Sequence, residues 1–144
     1  SSKERQGDYY IQVLQASTGA IRDTVYVKTG RGSFRLRWAE IAGDYLALYD
    51  NQNRLLVYSI SSGERLGQIF GVNGSLSPAN SLLAAENKSG VLTIYSLPSM
   101  EERNKLVFGH RLVYMRFSKD GRRLFALTSD QVAYLFDTEE ILTR

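Results

Sequence analysis

Large apolar residues recur along this chain at a nearly fixed distance. Trp38, Leu76 and Phe117 each open the same pattern: a bulky apolar residue, four or five turn-like positions, then an apolar alternation. They stand 38 and 41 residues apart. A second set, Leu14, Tyr58, Tyr95 and Phe136, is spaced by 44, 37 and 41 residues. Two independent sets of anchors sharing one period mark a supersecondary unit used several times. A unit of this size cannot bury both of its faces alone, so successive units must stack and seal one another.

The unit is built of strands. Aromatic and β-branched residues alternate with polar ones, and Gly, Asn and Ser fill the gaps between runs. A hydrophobic fraction of 43% supports a packed core and excludes a disordered chain. Four-stranded propeller blades repeat at about 40–45 residues. The expected fold is therefore all-β, a β-propeller of four-stranded antiparallel blades. The blade parts are 9–28, 34–71, 72–109 and 110–138, holding two, four, four and three strands. They lie in one domain, or in part of a larger one, spanning 1–144. Residues 1–8 read as a polar lead-in. Thr138–Arg144 is too short, and too acidic at Glu139-Glu140, for a fourth strand. Closed propellers have about 4–8 blades, so about three blades make an incomplete ring. The leading expectation is a segment of a longer propeller. The competing one is that exposed blade faces pair two chains across a two-fold axis, giving a homodimer.

The stretch Gly109–Asp137, GHRLVYMRFSKDGRRLFALTSDQVAYLFD, is the most specific. It resembles a blade of the tryptophan–aspartate (WD) repeat family, with Phe136 where that family usually has Trp. The resemblance implies a structural network in which His110 bonds Asp130 and the link continues through Thr128. Phe136 has no N–H to finish it. The complete blades lack this set. They carry Gly30-Arg31 and Gly71-Val72 at the Gly-His position, Gln52 and Ser89 at the turn Asp, and Tyr58-Ser59 and Tyr95-Ser96 at the closing dipeptide. The chain thus resembles a divergent WD-like or quinoprotein-like propeller. Trp38, Tyr58, Leu76, Tyr95, Phe117 and Phe136, and with them the period anchor Leu14, are expected to pack between blades.

Little in the sequence speaks for chemistry. There is no Cys and one His, so neither thiolate catalysis nor a Cys/His metal cluster can be built. No G-x-S-x-G and no phosphate-binding glycine loop occurs. Glu101-Glu102 and Glu139-Glu140 are sequence neighbours and face opposite sides of a strand, which is no acid–base pair. Asp50-Asn51-Gln52-Asn53 resembles a calcium loop faintly, yet it lacks the later bidentate Glu and sits where a hairpin turn belongs. Arg31, Arg35 and Arg37 around Phe34 and Trp38, and Arg116, Lys119, Arg122 and Arg123, form two basic clusters. A nucleic-acid site needs a denser stripe than the net charge of +3 provides. These clusters are read as a solvated rim balanced by Glu40, Asp44 and Asp120, and nucleic acid is not expected as a partner. No apolar run is long enough to span a membrane as a helix. The compartment is left open.

What the resemblance implies is a non-enzymatic platform. Rigid blades hold loops, and the loops bind a protein or peptide. The contact loops would be Arg31–Ser33, Gly71–Gly74 and Gly109–Arg111, with Asp50–Asn53, Asn87–Gly90 and Ser129–Gln131. No cofactor is expected. The alternative is the non-catalytic portion of a propeller enzyme, a hydrolase or quinone-dependent dehydrogenase, whose active site lies outside this stretch.

Overall fold

The computed structural model describes residues 9–143; the polar lead-in at 1–8 lies outside the described residues. Among the described residues, thirteen strands and one short helix succeed one another in order. β1 (Tyr9–Leu14) pairs with β2 (Ile21–Val27). β3 (Leu36–Ala42), β4 (Tyr45–Asp50), β5 (Arg54–Ser59) and β6 (Arg65–Phe70) form the second sheet. β7 (Asn73–Ser77), β8 (Leu82–Lys88), β9 (Val91–Ser96) and β10 (Glu101–Val107) form the third. β11 (Leu112–Phe117), β12 (Arg123–Thr128) and β13 (Ala133–Asp137) form the last, and α1 (Thr138–Thr143) comes after it. Every sheet is an antiparallel meander in chain order, and β7 lies beside both β3 and β11. The first strands therefore sit together at the inner edge of a blade stack that does not close.

Three apolar layers lie between the four sheets. Val25 and Val27 of β2 meet Leu46, Leu48, Leu56 and Tyr58. Leu55 and Val57 meet Leu76, Leu83, Tyr95 and Leu97, with Trp38 half-buried against them. Leu92 and Ile94 meet Met115, Phe117 and Leu124, with Phe136 against them. Tyr58 lies in the first of these layers, Trp38, Leu76 and Tyr95 in the second, and Phe117 and Phe136 in the third. Leu14 lies in none of them. The alternation of β1 turns Tyr9, Ile11 and Val13 inward and leaves Leu14 exposed, beside a bulge at Val13/Leu14.

Two local details depart from the sequence reading. In the second blade the positions after Trp38 are not a turn. β3 keeps its in–out alternation to Ala42, and the reversal is confined to Gly43 and Asp44, with Gly43 at φ +58°. The segment after β13 is a helical turn. Asp137 Oδ1 accepts from Glu139 N at 3.0 Å and Glu140 N at 3.4 Å, and both glutamates lie in the first turn, where negative charge is favoured. Ile141 from this helix is buried in the last inter-blade layer, and its carbonyl accepts from Asn104 Nδ2 at 2.6 Å.

Candidate functional site

Leu36 pairs with Asp50, Asn73 with Glu86, and Leu112 with Thr128. The loop entering each first strand therefore lies at the same end of its blade as the loop between second and third strands. These loops make one rim, and its rigidity comes from three residues at equivalent places. Asp50, Glu86 and Thr128 each stand near the end of a second strand, opposite the start of the first.

Asp50 is fully buried. Its Oδ1 accepts from Gln52 N at 2.9 Å and Arg54 N at 3.0 Å, and its Oδ2 accepts from Arg54 Nε at 2.7 Å. Arg54 Nη2 continues to Thr29 O, 2.8 Å away in the preceding blade. The guanidinium fills the place a cation would take, so this turn is a structural knot and not a calcium loop. Asn51 Oδ1 accepts from Arg35 N at 2.8 Å, and Gln52 Nε2 donates to Ser33 O at 2.9 Å, which ties the 31–33 loop to the same knot.

Glu86 is likewise buried. Its Oε2 accepts from Gly90 N at 3.0 Å within its own turn and from Leu112 N at 2.9 Å in the next blade. Gly90 is required here. Its φ is +78°, and a Cβ would stand 2.7 Å from Phe108 O.

The last blade is arranged differently. Thr128 Oγ1 is within reach of Asp130 Oδ1 and of Val132 O, and its single proton goes to one of them. His110 Nε2 stands 3.5 Å from Asp130 Oδ2, with its side chain 56% exposed. His110, Thr128 and Asp130 are thus brought together, but the His–Asp contact is long and solvent-screened. Phe136 is not part of it. It stacks on Tyr134 with ring centroids 5.9 Å apart, and Phe108 meets both rings edge-on.

A second set of bonds crosses between blades at the inner edge. Glu40 on β3 accepts from Leu76 N with both oxygens, at 3.1 and 3.0 Å. Ser75 on β7 accepts from Phe117 N at 3.1 Å. Burial raises the Glu40 pKa above its usual value, against the opposing pull of the Leu76 N–H and of Arg116. At the other end of the second blade, burial would raise Asp44. Bonds from Ser59 Oγ, Ser61 Oγ and Ser61 N, with the charge of Arg22, hold it below the ordinary Asp value instead.

Sequence reasoning seeks the pinning carboxylate at the turn positions, where Gln52 and Ser89 stand, and so passes over Asp50 and Glu86. The signal is a single acid ending an apolar run, LALYD in one blade and LLAAE in the other. Arg35 and Arg37 are exposed while Leu36 and Trp38 turn inward, as the alternation of β3 requires. Among the described residues, no group of three or more His, Cys, Asp or Glu could hold one metal ion. No described helix is long and apolar enough to cross a membrane.

No protein-family model and no curated protein sequence matches the chain. Solved structures do. A chain of the mitotic checkpoint complex superposes with a TM-score of 0.65 at 16% identity, over 90% of this chain and 40% of that one. U3-55K superposes with a TM-score of 0.65 at 12% identity, over 78% of this chain and 39% of the other. The WD40 repeats of RRP9 superpose with the same TM-score and identity, over 78% and 38%. The chain has the fold of a WD40-type β-propeller, as an incomplete ring. It spans about two-fifths of the length of each structure it matches.

Proposed function

We propose that this chain is a non-enzymatic interaction platform whose loop rim binds a protein or peptide partner. The observation that carries the reading is how the rim acids are used. Asp50 and Glu86 are buried acceptors for backbone N–H groups, an arrangement that fixes loops and keeps both of these carboxylates occupied. Arg31 and Arg111 stand exposed on these fixed loops with no carboxylate partner among the described residues. Rigid loops presenting free side chains lower the ordering cost of association. In this reading His110, Thr128 and Asp130 stabilise the rim and do not contact a reacting group.

The experiment is affinity capture on the immobilised chain, followed by charge reversal. Arg31→Glu with Arg111→Glu is expected to lose the captured protein. Lys119→Glu, on the loop at the opposite end of the last blade, is expected to keep it. Equal capture by the parent and both variants would overturn the reading.

The outward faces of the first and last sheets carry exposed apolar side chains. Tyr10, Leu14, Ile21 and Tyr26 lie on one, and Tyr114, Phe125 and Leu135 on the other. Contiguous surface of this kind is normally covered. We propose that both are inter-blade surfaces, met by further blades of a longer propeller or by a second copy of this chain. Light scattering separates the two. A dimer supports pairing, and a monodisperse monomer removes it.

A further inference from the structure

The two ends of the blade stack differ in charge. The rim loops expose Arg31, Lys88 and Arg111 against one exposed acid, Asp130. The loops at the other end expose Asp44, Glu64 and Asp120 against Lys119 and Arg122. Asp130 faces His110, and Arg111 has no carboxylate partner among the described residues. Next to Arg111, between the third and last blades, the rim opens into a groove of about 630 Å³. Val72 and Val113 line it and are 42% and 43% exposed. Asn73, Ser89 and Arg111 bring polar groups to it. Glu86 also lies against the groove, but it is 1% exposed and its Oε2 is taken by Gly90 N and Leu112 N. What the groove presents is therefore an aliphatic surface with a free guanidinium beside it.

Taking the rim as the contact surface proposed above, we infer that this groove seats an acidic, aliphatic segment of the partner peptide. One aliphatic side chain lies against Val72 and Val113. A carboxylate two residues along, on the same side of the extended peptide, meets Arg111. Three observations select this occupant. The planar fork of a guanidinium matches a carboxylate, and no acid of the fold uses the one on Arg111. The two exposed valines gain from an aliphatic cover. The charge difference between the ends draws an acidic segment to the rim and turns it away from the opposite loops. A basic segment would meet Arg111 with like charge. Nucleic acid has the right sign, but no aromatic ring lines the groove to stack a base.

The test uses the full chain, isotope-labelled, titrated with the blocked peptide acetyl-Leu-Ala-Asp-amide and with its Asn and Lys counterparts. The Asp peptide is expected to shift the amides of residues 72, 73, 89 and 111–113. It is expected to bind about fivefold more tightly than the Asn peptide, as one exposed ion pair allows. Arg111→Gln, at an exposed position, should erase that difference and leave the unbound spectrum otherwise intact; Lys119→Gln should preserve it. Equal binding of the Asp and Asn peptides at the rim would overturn the acidic occupant while leaving the rim a contact surface. Tighter binding of the Lys peptide, shifts confined to residues away from the rim, or no shift at millimolar peptide would each overturn the proposal. So would an oligothymidylate that shifts the same amides at lower concentration than the Asp peptide.

Discussion

The second and third blades and the last blade hold their rims by different means. In the complete blades a buried strand-end carboxylate gathers the backbone N–H groups of its own turn, and then reaches a neighbouring blade through Arg54 or through Leu112 N. In the last blade the carboxylate has moved out to the turn, at Asp130. Thr128 takes the strand-end place, and the outer partner is an exposed histidine. The task is the same, namely to satisfy turn donors that would otherwise be left unpaired. What differs is burial. A carboxylate in a dry site with several donors is worth more, and costs more to remove, than one in contact with water.

That contrast is open to direct attack. Asp50→Ala is expected to have the largest effect, about 3 kcal/mol or more, because it strands the Arg54 guanidinium and two backbone donors. Urea denaturation measures it; a loss below that of any last-blade variant would reverse the comparison. Glu86→Ala should cost about 2–3 kcal/mol by leaving Gly90 N and Leu112 N unpaired, with Glu86→Gln recovering part of it. Ser75→Ala, which removes the acceptor for Phe117 N, should cost about 1 kcal/mol. His110→Ala closes the series at under about 1 kcal/mol, since the contact is long and exposed. A melting-temperature drop for His110→Ala equal to that for Glu86→Ala would show that the turn-borne arrangement is as strong as the strand-end one.

Two acids of the second blade extend the comparison to pH. Asp44 is held below 3.8 in the fold, so its contribution is present above that value and fades as pH falls through its lowered pKa. Asp44→Asn should therefore be destabilising at neutral pH and converge with the parent in strong acid. Glu40 is raised above 4.5, so the sign reverses. Its contribution is full below that value and is lost as pH rises through the folded pKa. Glu40→Gln keeps an acceptor for Leu76 N, and should match or exceed the parent at neutral pH. Chemical denaturation across pH separates the two signs.

The period of the large apolar residues is enough to read the blades and their stacking, because a buried side chain at a blade interface has few substitutes. Polar positions are harder to read. A turn donor can be satisfied from the turn itself or from the strand end, and both solutions occur here. A search fixed on one turn position therefore finds Asp130 and misses Asp50 and Glu86. The final helix is legible in Asp137 and Glu139-Glu140, a capping residue ahead of first-turn acids, but weighing the segment only as a fourth strand hides it. Leu14 shows the opposite error. Its spacing fits the period, but the alternation of β1 assigns Val13 to the interior.

The inner-edge bonds give the stack a direction. Leu76 N is satisfied by Glu40 and Phe117 N by Ser75, and at the rim Leu112 N is satisfied by Glu86. In these three bonds a backbone N–H of the later blade donates to a side chain of the earlier one, whereas the side chains of Asn80 and Asn104 donate forward to Gly121 O and Ile141 O. A nascent chain emerging in this order would find each acceptor already in place before its donor is made. Losing one of these acceptors strands a backbone donor in the blade that follows, so the damage is felt one blade further along the chain.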